Sequence, residues 1–117
     1  MIIESIILDY LIAALPSHKV RMERSTGVDL VLRKDSGGKT TDFLGETSFM
    51  VYCYGKSEVS ACKAGKEVMD ALKNLTTLDC ITKVIIDDDY SDPDLSSNEH
   101  RYTVPFTINF YEEVNNA

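Results

Sequence analysis

Thr47-Ser48-Phe49-Met50-Val51-Tyr52-Cys53-Tyr54-Gly55-Lys56-Ser57 is the stretch on which the fold turns. Residues 47 to 54 are rich in β-branched and aromatic side chains and predict a buried strand. Gly55 stops that strand, and Ser57 is a good N-cap for a helix that runs to about Leu75. Along this helix Ala61, Gly65, Val68, Leu72 and Leu75 share one apolar face, while Lys63, Lys66, Glu67, Asp70 and Lys73 populate the other. Small residues at 61, 64 and 65 let the helix lie close to a sheet.

Upstream, Ile3, Ile6, Ile7, Tyr10, Leu11, Ala14 and Leu15 recur at helical spacing, and Pro16 ends that first helix. Two extended stretches follow, Lys19 to Glu23 and Val28 to Lys34, and Asp35-Ser36-Gly37-Gly38-Lys39 predicts a turn or flexible hairpin tip. Downstream, Ile81 to Asp87 has strand character, and Asp88 to Glu99 reads as a polar loop. From His100 to Tyr111, inward Tyr102, Val104, Phe106, Ile108 and Phe110 alternate with Arg101, Thr103, Pro105, Thr107 and Asn109. Pro105 predicts that this strand lies at an edge or is bulged there, since proline has no amide for a ladder. Residues 112 to 117 are expected to fray. The order is α-β-β-β-α-β-β, an α+β domain whose mostly antiparallel sheet carries two main helices, with one domain over residues 1–117.

The formal charge of −7 is unevenly spread. Residues 1 to 86 hold eleven acids and eleven bases, whereas residues 87 to 117 hold eight acids and only Arg101. Such acidity argues against a general or sequence-specific nucleic-acid binder. The aromatics Tyr52, Tyr54, Tyr102, Phe106, Phe110 and Tyr111 are assigned to core and sheet packing, because a base-stacking platform needs adjacent cations. Cys53, Cys62 and Cys80 show no CxxC spacing and are expected to be buried free thiols in a reducing compartment. The apolar start lacks a basic flank and is broken by Glu4 and Asp9, so neither a signal peptide nor a membrane segment is expected.

The motifs that resemble chemistry are incomplete. Gly38-Lys39-Thr40 looks like the end of a phosphate loop, but Arg33 stands where that pattern needs glycine. Asp87, Asp88, Asp89, Asp92 and Asp94 are hard oxygen donors, yet the calcium-loop pattern needs a glycine where Asp92 stands. His18 and His100 lie in no nucleophile or metal pattern, and Asn74-Leu75-Thr76 is a glycosylation sequon without a secretory context. No catalytic, cofactor-binding or metal residues are assigned, and no cofactor or enzymatic activity is expected.

A helix ending in Leu-Pro, the strand-to-helix segment 47–57, the acidic loop and the closing strand opened by Arg101-Tyr102-Thr103-Val104-Pro105-Phe106 together resemble the tail terminator family of long-tailed bacteriophages. This family is also called tail completion or minor tail protein U type. The likeness spans roughly residues 3 to 111 and rests on element order, not on catalytic residues. It implies a structural protein of the virion tail, assembled in the host cytoplasm. Six copies of such a protein form a ring on the tail tube, stop polymerisation and present a docking surface to the head-side connector protein. Its implied partners are therefore itself, the tail tube protein and that connector, with no membrane. Another head–tail connector or small tail subunit is the alternative within virion assembly. A small cytosolic calcium-binding module or enzyme is the alternative outside it.

A closed ring needs two different patches that meet between neighbours. Residues 19 to 39 hold six bases against three acids, and residues 87 to 99 hold six acids with no Lys or Arg. The expected interface therefore sets Arg33, Lys34, Asp35, Gly37, Gly38 and Lys39 against Asp87, Asp88, Asp89, Asp92 and Asp94 of a neighbour, or against matching surfaces on tube and connector.

Overall fold

A computed structural model of the chain describes residues 2–39 and 44–111. Its elements are α1 (Ile3–Ala14), β1 (Val20–Arg21), β2 (Leu30–Lys39), β3 (Leu44–Gly55), α2 (Glu58–Lys73), β4 (Ile81–Ile86), β5 (Tyr90–Ser91) and β6 (His100–Tyr111), with one 3₁₀ turn at Leu75–Thr77. The α+β class and element order are those expected, with the two-residue β5 added inside the acidic loop. The sheet runs β1-β2-β3-β6-β4, and β5 pairs with β6. Only β1 and β2 run parallel; the other pairs are antiparallel.

Each helix is formed and stopped for local reasons. The Leu15 amide closes the last turn of α1 on the Leu11 carbonyl, and Pro16 then denies it an amide. Ser57 caps α2 by accepting from the Ser60 amide, and Ser60 returns a bond to the Ser57 amide in a capping box. The helix ends at Lys73, two residues short of the expected Leu75, and the 3₁₀ turn carries buried Leu75 onto the same apolar face.

Both helices pack on one face of the sheet. Ile3, Ile7 and Leu11 of α1 and Ala64, Val68 and Leu72 of α2 join Leu30, Leu32, Phe49, Val51, Cys53, Val104, Phe106, Ile108 and Phe110 in one core. The alternation along β3 and β6 follows from the pleat, which sends successive side chains to opposite faces. Phe49 and Phe106 are direct cross-strand partners with ring centroids 5.4 Å apart. Gly45 is Phe110's partner, and a Cβ there would stand 2.5 Å from that ring. Of the cysteines, Cys53 is buried and Cys62 and Cys80 are half-buried, all as free thiols.

Three expectations are corrected or bounded. First, Asp35-Ser36-Gly37-Gly38-Lys39 is not the hairpin tip but the second half of β2, with a register shift between Lys34 and Ser36. Gly37 and Gly38 face Thr47 and Glu46 in a ladder, so pairing overrides the local turn preference of adjacent glycines. The connection moves to residues 40–43, which lie outside the described residues, as do the 112–117 of the expected frayed tail.

Second, β6 lies between β3 and β4, and its register with β3 passes unbroken through Pro105. The strand is neither at an edge nor itself bulged. The Asp87 amide donates to the Pro105 carbonyl at 2.9 Å, and a strand residue's amide and carbonyl point the same way. The missing Pro105 amide therefore faces Asp87. β4 stops at Ile86, and the chain resumes pairing only where Tyr90 meets Thr103. Asp88 and Asp89 thus span what Val104 alone covers, so the irregularity falls on the neighbouring strand.

Third, Thr103 is fully buried although it lies on the outward set. Its hydroxyl donates to Asp92 Oδ2 at 3.2 Å, beneath the segment that holds β5.

Gly65 brings α2 against the Tyr102 ring, and an added Cβ would fall inside the van der Waals radius of that ring. Gly65→Ala is therefore expected to lower stability by about 1–3 kcal/mol in urea unfolding through overpacking. Helix propensity alone would raise it by about 1 kcal/mol, so unchanged or increased stability would contradict the close approach.

Candidate subunit interface

The residues singled out for assembly fall into two groups on opposite edges of the sheet. Arg33, Lys34, Asp35, Gly37, Gly38 and Lys39 lie on β2, and among the described residues β1 covers β2 only at Leu30 and Val31. From Leu32 onward the outer edge of β2 meets no strand among the described residues. At the far side, β4 is the last strand, and Asp87, Asp88 and Asp89 leave its end.

Most of the acidic segment is committed within its own chain. Asp92 Oδ2 lies 2.9 Å from Arg101 Nη2, and Asp94 Oδ2 lies 3.7 Å from Arg101 Nη1. Glu99 receives Arg24 Nη2 at 2.6 Å. The Tyr102 hydroxyl donates to Asp89 Oδ2, and Lys66 Nζ stands 3.6 Å from the same oxygen. These contacts hold three carboxyls below their usual range. For Asp89 the Tyr102 hydrogen bond leads, for Glu99 the Arg24 hydrogen bond, and for Asp94 the Ser96 hydroxyl. The Tyr102 phenol is pushed up by the same Asp89 bond. Of the five aspartates expected at a partner surface, Asp89, Asp92 and Asp94 therefore fasten their own segment to the sheet. Asp87 and Asp88 are exposed, and neither makes an ion pair among the described residues.

The same fastening accounts for two of the tyrosines. The Arg24 guanidinium lies 4.2 Å from the Tyr54 ring centroid, and that of Arg101 lies 4.6 Å from Tyr52. These aromatics do have adjacent cations, a condition for base stacking, but Glu99, Asp92 and Asp94 already neutralise them.

On β2, Lys34 reaches back to Glu4 of α1 at 3.8 Å. Arg33 projects from the opposite face, is exposed, and makes no ion pair among the described residues. Asp35, also exposed, is the extra residue at the register shift. Among the described residues the unengaged charges are thus Arg33 and Asp35 on the β2 edge, and Lys83 with Asp87 and Asp88 at the β4 edge.

His18 lies in no nucleophile or metal pattern of the sequence, but the fold closes two carboxylates on it. Nδ1 stands 2.5 Å from Asp29 Oδ2, and Nε2 contacts Glu67 Oε2. An ionised carboxylate only accepts, so two such partners call for an imidazolium with both nitrogens protonated. Burial alone would push the imidazole down, and the bonds and charges of Asp29 and Glu67 outweigh it, so its pKa is raised. Asp29 Oδ1 also accepts from the Lys19 amide at 2.7 Å. The cluster ties the link after α1 to the start of β2 and to α2. Its partners lie 11 and 49 positions away, which no local pattern could have revealed.

Because the folded-state pKa is raised, the stability this imidazolium contributes is complete below the unfolded value of about 6.5. It is lost as pH rises through the folded value. Urea unfolding across that window is expected to show a fall in stability that His18→Gln flattens. A proton NMR titration placing His18 at or below its ordinary pKa would contradict the bridge. Comparison with known protein families and with curated protein sequences returns no match.

Proposed function

We propose that the chain is a structural subunit of a bacteriophage tail that assembles into a ring, caps the tail tube and offers a docking surface to the head-side connector. The observation that carries this reading is the pair of unlike edges on a single sheet. One ends in Arg33 and the free half of β2, and the other ends in Asp87 and Asp88 beyond β4. Two different, complementary patches on one subunit are what a heterologous contact requires, and such contacts close into rings when the rotation between copies allows.

The α+β order and the strand-to-helix segment at 47–57 support the tail-terminator resemblance, from which the six-fold ring follows. The committed charges support it in another way. With Asp89, Asp92, Asp94 and Glu99 held internally, the acidic segment is fastened to the sheet, and a surface held in place before docking loses less freedom on binding.

The test is light scattering and negative-stain imaging of the purified chain, followed by its addition to polymerising tail-tube protein. A ring of about six copies and tubes arrested at fixed length are expected. Rings that leave tube growth unarrested would favour a connector or another small tail subunit. A chain that remains monomeric with and without tube ends would overturn the proposal.

A further inference from the structure

We infer that neighbouring copies join edge to edge, with β4 of one copy lying antiparallel beside β2 of the next, so that one sheet continues around the ring. The inference rests on the ring reading above and specifies its contact.

Strand direction comes first. β2 and β3 are antiparallel, β3 and β6 are antiparallel, and β6 and β4 are antiparallel. β4 therefore runs opposite to β2. A rotation that carries one copy onto the next while keeping strand direction places them as an antiparallel pair, the more stable ladder.

The rows across the sheet then decide which residues meet. Arg33 pairs with Met50, Met50 pairs with Pro105, and Pro105 accepts from the Asp87 amide. Arg33 and Asp87 thus occupy one row at its two ends. Both project from the face away from the helices, because Leu32 and Ile86, their neighbours along the chain, pack with the core. A copy added without stagger sets Asp87 opposite Arg33. In the same frame Gly37 shares a row with Val84, through Thr47 and Ile108. The half-exposed Ile85 (45% accessible) falls in the row of Ser36 and loses its access to water.

Charge also excludes the alternatives. β2 paired with itself about the Arg33 row would set Arg33 against Arg33, and β4 paired with itself about the Asp87 row would set Asp87 against Asp87; charged residues are how native sheets keep edges from indiscriminate pairing. In that row only the unlike edges bring opposite charges together, which selects the heterologous contact over either two-fold dimer. The occupant of each edge is therefore a second copy of this chain.

A charge exchange tests the pairing. Arg33→Asp and Asp87→Arg each place like charges in the row and are expected to weaken self-association at low salt by about tenfold or more, measured by sedimentation velocity. Melting temperatures are expected to stay unchanged, since both sites are exposed. The double variant restores opposite charges with the polarity reversed and is expected to assemble within about threefold of the parent. Rings formed equally well by both single variants, or a double variant no better than either, would overturn the edge pairing and leave the ring reading standing. A parent chain that forms no ring either alone or on tube ends would overturn both.

Discussion

Pro105 stands inside the sheet with no amide to give, and the acidic side of the molecule is arranged around that lack. The strand beside it can accept nothing at this point, so β4 stops at Ile86 and its continuation re-enters the ladder as β5. Two aspartates take the place of one residue at the break, which separates the segment's carboxylates into two sets. Asp87 and Asp88 face solvent at the edge, while Asp89, Asp92 and Asp94 are turned back on Tyr102, Lys66 and Arg101.

The inward set has a structural cost and return. Arg101, Tyr52, Thr103 and Asp92 form a connected polar layer on the face without helices, and Thr103 is buried within it. A buried hydroxyl left unpaired costs about 1–3 kcal/mol, so Asp92 holds the layer together as well as closing the segment. On the opposite face Gly65 lets α2 approach until Tyr102 packs against its backbone, and the same tyrosine reaches Asp89. Helix, sheet and acidic segment therefore share one side chain.

Much of this was legible in the sequence where the signal is periodic or local. The alternation from Tyr102 to Phe110 assigned both faces of β6, Ser57 marked the start of α2, and Pro16 the end of α1. What was not legible depends on partners distant in the chain. Gly37 and Gly38 carry no side chain to signal a strand, and only Thr47 and Glu46 opposite them hold β2 extended. Pro105 signalled an edge because sequence shows the missing amide but not which neighbour yields to it. The acidic stretch looked like one surface because composition cannot tell a paired carboxylate from an unpaired one. His18 gave no sign of Asp29 and Glu67.

Once the internal pairs are set aside, Arg33 and Asp87 stand unpaired at the two ends of one row across the sheet. Hydrogen exchange measured on dilute monomer and on the assembled chain tests that arrangement most directly. New amide protection is expected in two segments, 33–39 on β2 and 82–87 on β4, with α1 and α2 unchanged. Protection gained on the helices, with both sheet edges still exchanging as in the monomer, would contradict it.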